Sequence, residues 1–375
     1  MTAAAPWVLG VDSGGSGLRV ALAPASGGGG DGDGDDRPRS LVSRAPVRTG
    51  PAGIDAGHLM DQLAPMAREL IDGAGGGAVA AVAVGAAGMA TLGDDLRERL
   101  PGALGEAFAV RRLALAADAV TAYAGALGQR AGAVVAAGTG LIALGTDLRA
   151  WRRADGWGHL LGDCGGGAWI GRAGLDAAMR AYDGRRGGSR ALLACAEARF
   201  DGPVHELPGK LYPRTDRPAV LASFAPDVAR CAAADDQVAA GILRQAAAHI
   251  AEAAVAVCPN GADGQVALTG GLFKTGAPLL VPLREELAAQ LPTARAVVAD
   301  GDPLDGAVAL ARALAAGTLR LPHDGRMLHV PQENPGRTQA APQKSPGTTQ
   351  AAPQENPGTT QAVPQASPEG TQTPP

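Results

Sequence analysis

The sequence predicts an α/β protein of two lobes, each built around its own core. Three observations lead there. A chain of 375 residues exceeds what one hydrophobic core usually organises. Strand-length apolar runs alternate with helix-length segments from Trp7 to about residue 316. A strand, a glycine turn and a returning strand occur twice, around residues 12–17 and 138–140, so the second half repeats the plan of the first.

The elements follow in order. Trp7-Val8-Leu9-Gly10-Val11 and Arg19-Val20-Ala21-Leu22-Ala23 flank Asp12-Ser13-Gly14-Gly15-Ser16-Gly17, which reads as a β-hairpin. Gly27 to Asp36 holds only Gly and Asp and reads as a solvated loop. A helix over about 55–72 precedes a buried strand, Ala78 to Val84, that ends in Gly85-Ala86-Ala87-Gly88. A helix over 93–104 leads to a strand over 111–116, and Asp118 opens a helix that runs to Leu127. Gly132 to Ala137 and Leu141 to Gly145 are the strands of the second hairpin, around Gly138-Thr139-Gly140. Helices dominate from 167 to about 258, with Pro- and Gly-broken loops near 201–218. A strand over 265–269 meets Gly270-Gly271, a helix covers 277–290, and a strand covers 295–299. After the loop Asp300 to Pro303, a final helix reaches about 316.

From residue 331 the character changes. Pro-Gln pairs at 331, 342, 353 and 364 recur every eleven residues in a Pro, Gln, Thr, Gly and Ser background. Segment 331–375 has too little apolar surface to offset the entropy of ordering, and its prolines exclude a helix. It is expected to be a disordered tail, dispensable for folding. The net charge of −4 comes without a basic stripe, so nucleic acid is not an expected partner. No basic leader precedes an apolar core, and no apolar run approaches about 18 residues. A cytoplasmic protein without a membrane partner is the expectation. Cys164, Cys195, Cys231 and Cys258 lack CxxC spacing, which argues against a zinc site or disulfide framework and for reduced thiols.

Several residues could carry chemistry. The two glycine turns allow backbone N–H groups to approach a polyphosphate, since no Cβ intervenes, and Ser16 and Thr139 add a hydroxyl to each. Neither turn opens a helix, and neither has the Walker lysine, so the two commonest nucleotide folds are disfavoured. Asp12 reads either as a Mg²⁺ anchor acting through water or as an Asx turn. Asp118 reads either as a helix N-cap or as a general base at a strand end. In the Gly-rich stretch 155–171, Trp157 and Trp169 flank Asp163, an arrangement that suits a sugar or, equally, core filling beside a capping Asp.

The order and spacing of five segments resemble the N-acetylglucosamine kinase and BadF/BadG/BcrA/BcrD ATPase family of the actin/hexokinase-like superfamily. They are Gly10-Val11-Asp12-Ser13-Gly14-Gly15-Ser16, Ala137-Gly138-Thr139-Gly140, Gly156-Trp157-Gly158-His159-Leu160-Leu161-Gly162-Asp163, Gly270-Gly271-Leu272-Phe273-Lys274 and Asp302-Pro303-Leu304-Asp305-Gly306-Ala307. The resemblance implies two ribonuclease-H-like lobes with a cleft between them. The first would span 1–119, completed by a closing helix at about 303–320; the second would span 120–302 with a helical insert on the sugar side. ATP and Mg²⁺ would be bound by Asp12, Gly14, Gly15, Ser16, Gly138, Thr139, Gly140, Gly271 and Thr275, with Asp12 serving the metal. The sugar would meet Gly88, Asp118, Gly156, Trp157, Gly158 and Asp163, with Asp118 as the base. The implied activity is phosphorylation of an amino sugar, N-acetylglucosamine or glucosamine, at the 6-hydroxyl, by a homodimer joined through the helical part of the second lobe.

Three positions depart from the family pattern. Cys164 replaces a glutamate, Leu141-Ile142 replaces small polar residues, and Gly50-Pro51 stands where an asparagine is expected. Each removes a hydrogen-bond partner for the sugar. The alternatives are an ATPase that activates a partner enzyme, whose cluster-holding cysteine before the Gly-Thr-Gly turn is missing here, and a non-catalytic sugar or nucleotide sensor. A repressor would need a DNA-binding helical module ahead of the first strand.

Overall fold

Trp7 to Gly14 (β1) and Gly17 to Pro24 (β2) form an antiparallel hairpin, with Trp7 opposite Pro24 and Gly14 opposite Gly17. Their side chains are buried on both faces, which is why the run reads as continuously apolar. The computed structural model describes residues 6–14, 17–26, 38–50, 53–259 and 264–331. Gly15, Ser16, the acidic tract 27–36, Pro51 and the repeats beyond residue 331 lie outside the described residues. The sheet continues through β3 (Arg39–Ser43), antiparallel to β2. A two-residue pair, β4 (Thr49–Gly50) and β5 (Gly53–Ile54), leads into α1 (Ala56–Gly73). Asp55 caps α1 by accepting from the His58 N–H at 3.0 Å, and Leu59, Leu63, Ala67 and Leu70 form its buried stripe. Next come β6 (Val79–Ala86), α2 (Met89–Leu92), α3 (Asp94–Phe108) and β7 (Arg112–Ala117). The helix expected over 93–104 is α3, which runs on to Phe108, and the short α2 ahead of it, ending at Gly93, was not expected.

The second half opens with α4 (Asp118–Leu127), β8 (Gly132–Ala137), β9 (Leu141–Thr146) and β10 (Trp151–Asp155). A helical stretch follows: α5 (Gly167–Tyr182), α6 (Arg190–Arg199), α7 (Leu207–Leu211), α8 (Arg217–Ala222), α9 (Ala225–Ala233) and α10 (Gln237–Val257). The loop expected near 201–218 holds a 3-10 turn and α7, with Pro208 in the first turn of α7, where its missing N–H leaves no bond unmade. Then β11 (Gln265–Thr269), a 3-10 turn over Gly271–Thr275, α11 (Ala277–Gln290), β12 (Arg295–Val298), α12 (Pro303–Ala316) and β13 (Leu328–His329) complete the chain's described part.

The first sheet runs β13-β7-β6-β1-β2-β3 and the second β10-β9-β8-β11-β12. Apart from β13, the two are the same: a three-stranded antiparallel meander on one side and two parallel strands on the other. One core gathers Leu9, Leu22, Leu63, Val82 and Leu115, and the other Ile170, Phe224, Leu243, Ile250 and Leu279. Helix α4 is buried from Ala119 to Leu127 and touches strands of both sheets, as a helix apolar all round must be covered all round. It crosses α12 backbone to backbone. A Cβ on Gly306 would sit 1.9 Å from the Thr121 carbonyl oxygen, and one on Gly125 2.0 Å from that of Asp302. Among the described residues no helix is long and apolar enough to cross a membrane.

Candidate active site

Strand ends from both sheets border a cavity of about 370 Å³. At the end of β7 the helix cap is Ala117, which makes no side-chain cap bond, and Asp118 is the first helical residue. Asp118 Oδ1 accepts from the Ala119 N–H at 2.8 Å. Of the two roles the sequence leaves open, the N-cap position belongs to Ala117, and the Asp118 carboxylate lines the cavity. It meets solvent on the cavity side and protein on its other sides. That partial burial, helped by the negative charge of Asp12, raises its carboxyl above the ordinary carboxylate range. The Ala119 N–H and the Arg153 charge act the other way and are outweighed, so the helix N-terminus does not hold Asp118 low.

Across the cavity, the Gly138–Gly140 turn closes on itself through the Gly138 N–H and Gly140 carbonyl at 2.9 Å. The Gly138 and Thr139 carbonyls accept from the Gly167 and Ala168 N–H groups at 2.9 and 2.8 Å. Those amides open α5, whose N-cap Gly166 has no side chain to satisfy them, so the turn itself caps the helix. The glycine run makes this approach feasible. A Cβ on Gly167 would lie 2.6 Å from the Gly138 oxygen.

The loop from Asp155 to Gly166 is held by Asp155, a residue to which the sequence assigns no role. Its Oδ1 accepts from the Asp163 N–H at 2.6 Å and its Oδ2 from the Cys164 N–H at 2.8 Å. Asp163 Oδ1 accepts from the Gly158 N–H at 3.2 Å, and Asp163 abuts Gly140 so closely that a Cβ there would be 2.4 Å from Oδ2. Burial raises the Asp163 carboxyl above its ordinary value; the Gly158 and Leu141 amides oppose this and nearby Asp155 adds to it. The two flanking tryptophans separate. Trp169, on α5, packs edge-on against His249 of α10 at 5.1 Å, whereas Trp157 is 63% exposed with the Arg153 guanidinium 4.5 Å from its ring centre.

Of the residues singled out from sequence, Gly88, Asp118, Gly138, Gly140, Gly156 and Asp163 line this one cavity, as do Leu141 and Ile142. Asp12, Gly14, Thr139, Trp157, Gly158, Gly271 and Thr275 lie outside its lining. Gly270, of the Gly270–Lys274 segment, lines it too, and Arg153, Thr91 and Met327 line it without having been anticipated. Arg153 is the cation among them, and one arginine in so arginine-rich a chain carries no signal of its own.

Asp12 Oδ2 accepts two bonds from Arg19, at 2.7 and 3.0 Å, and Arg19 reaches on to Asp302 at 2.6 Å. Among the described residues, no group of three or more His, Cys, Asp or Glu side chains is placed to hold a metal. A Mg²⁺ ion keeps several waters and takes phosphate oxygens, so Asp12 Oδ1, which has no hydrogen-bond partner among the described residues, fits it as a single hard-oxygen anchor. Open space lies where a Cβ would stand on Gly14, Gly138 and Gly271, which fits a polyphosphate or nucleoside against bare backbone.

Comparison with known proteins agrees with this geometry. A protein of Chromobacterium violaceum described as an N-acetylglucosamine kinase is 28% identical over 81% of this chain and 98% of its own, with a TM-score of 0.62. A ROK family glucokinase of Streptomyces griseus shares the fold, at 20% identity, a TM-score of 0.50, and coverage of 81% and 98%. The N-acetylmuramic acid/N-acetylglucosamine kinase of Clostridium acetobutylicum is 39% identical over 77 residues, which is 20% of this chain and only 24% of that enzyme's length. The sequence profile of the BadF/BadG/BcrA/BcrD ATPase family matches residues 9–311. With that match and its two like-ordered sheets, the chain belongs to the BadF/BadG/BcrA/BcrD ATPase family and has the actin/hexokinase-like ATPase fold.

Proposed function

We propose that this protein is an ATP-dependent kinase that phosphorylates an amino sugar, N-acetylglucosamine or glucosamine, at its 6-hydroxyl. The observation that carries the proposal is the meeting of Asp118, Asp163 and the Gly138–Gly140 turn on one cavity. The names of the Chromobacterium and Clostridium relatives support it. In this reading Asp163 orients a sugar hydroxyl, and Asp118 accepts the proton of the hydroxyl that attacks. A bond forms between that oxygen and the γ-phosphorus, the bond to the leaving ADP oxygen breaks, and the proton stays on Asp118. Bare backbone at Gly14 and Gly138 lies along the phosphates, with Thr139 and Gly140 in the same turn as Gly138; Gly15 and Ser16, given the same role from the sequence, lie outside the described residues. Gly271 and Thr275 lie along the adenosine. Asp12 would hold magnesium, which when bound would supply neutralisation of phosphate charge. Positioning and charge compensation supply most of the acceleration in such a transfer, so the chain's rigid parts matter as much as its base.

The test is ADP release with and without a panel of hexoses and amino sugars. Release that depends on N-acetylglucosamine or glucosamine, with the 6-phosphate as product, is the expected result. ADP release indifferent to every sugar would favour the partner-activating ATPase, and no release at all the sensor. A second expectation follows from Asp155. Asp155→Ala removes both acceptors that hold the Asp163 and Cys164 amides, and bonds to a charged acceptor are worth about 1.5–3 kcal/mol each. The sugar KM should rise roughly 10–100-fold, with little change in the ATP KM. Steady-state kinetics in both substrates checks this, and equal changes in the two constants would refute it.

A further inference from the structure

Spaced far apart in sequence, the cysteines read as four unrelated reduced thiols, yet folding brings two of them into contact. Cys195 on α6 and Cys231 on α9 lie with their sulfurs 3.7 Å apart, across 36 residues of sequence. The two differ in setting. Cys195 is half-buried and lies with Arg199, Asp227 and Arg230 on an open cavity of about 500 Å³, so small solutes reach it from solvent. Cys231 is buried beneath it. The Arg230 guanidinium stands 3.9 Å from the Cys195 sulfur and is itself anchored by the buried Asp227. Burial, and then the contact with Cys195, raise the Cys231 thiol above its ordinary value.

We propose that Cys195 and Cys231 are a redox modification site, which a hydroperoxide converts into an intramolecular disulfide joining α6 to α9. In the first step the Cys195 sulfur attacks one peroxide oxygen and the O–O bond breaks. Cys195 becomes a sulfenic acid, and with hydrogen peroxide the other oxygen leaves as water, taking the proton of the original thiol. In the second step the Cys231 sulfur attacks the sulfenic sulfur, the S–O bond breaks, and the oxygen leaves as a second water with the Cys231 proton. Two thiols are oxidised by two electrons and one peroxide is reduced by two. The sulfurs must close from 3.7 Å to about 2.05 Å, a movement of less than about 2 Å. Both helices pack on α5, which follows directly from the Asp155–Gly166 loop, so the bond would tie α6 and α9 together against that helix. The proposal does not depend on the sugar-kinase reading.

The experiment uses the folded full-length chain, treated with hydrogen peroxide, alkylated, digested and mapped by mass. The expected product is a Cys195–Cys231 cross-linked peptide pair about 2 Da lighter than the two thiols, and it is reversed by dithiothreitol. Cys195→Ser, at the half-buried position, should abolish the cross-link and leave Cys231 open to alkylation after unfolding. In Cys231→Ala, a sulfenic-acid probe such as dimedone should label Cys195. Full alkylation of both cysteines after peroxide would overturn the proposal. So would oxidation confined to Cys164 or Cys258, or a cross-link found only between chains.

Discussion

Asp118→Asn is expected to lower turnover roughly 10²–10⁴-fold, the usual contribution of a general base, while the ATP KM moves little. Asn keeps the volume of Asp and an oxygen to accept the Ala119 N–H, so the start of α4 should be preserved. It cannot take a proton from an attacking hydroxyl. The nucleotide, in this reading, is held by the glycine turns and not by Asp118. The pH profile gives an independent reading. Because burial raises the Asp118 carboxyl, the proton-accepting form is present above that raised value and lost as pH falls through it. The acid limb of wild-type kcat/KM should therefore lie above the ordinary aspartate value of about 3.9 and be absent from the variant. A variant that retains more than about a tenth of wild-type turnover would leave Asp118 as a structural residue at a helix start.

Gly306→Ala has the second large effect, on stability. Helix propensity alone forecasts a gain of about 1 kcal/mol when Gly inside a helix becomes Ala. The crossing of α4 and α12 forecasts the opposite. The new Cβ would stand 1.9 Å from the Thr121 oxygen and 2.5 Å from the Gly125 nitrogen, and neither backbone atom can swing aside as a side chain could. Overpacking of that severity costs about 3 kcal/mol or more, so the contact wins by about 2 kcal/mol. Thermal unfolding should show Tm falling by about 4 °C. A rise in Tm would mean that the helices separate without loss and that the close crossing contributes nothing.

Strands β1, β2, β6, β7, β8, β9 and β11 were legible because each is a short run buried on both faces. The sequence did not reveal β3 and β10, which are edge strands. β3 alternates exposed Arg39, Ser40 and Val42 with half-buried neighbours and so has no apolar run. β10 carries Arg152, Arg153 and Asp155. The site divides in the same way. Asp118 and Asp163 stand at a strand end and in a glycine loop, places marked by local sequence. Arg153 and Asp155 gain their positions from the pairing of β10 with β9, where Asp155 lies opposite Ile142, and no local window contains that pairing. The cysteine pair depends in the same way on how α6 meets α9.

The return of α12 to the first sheet has a consequence for synthesis on the ribosome. Arg19 bonds to Asp302, Arg312 bonds to the Pro24 carbonyl, and α12 packs along β1 and β6. Five of the first sheet's six strands are therefore made by Ala117, but they cannot be covered until residues near 316 have emerged, and β13 comes later still. At about 5–20 residues per second that interval is on the order of 10–40 s. Through it, one face of an apolar, alanine-rich sheet waits for a helix made almost last. Chaperone dependence and aggregation of the nascent chain should concentrate in that window, and a translation pause after α4 would lengthen it.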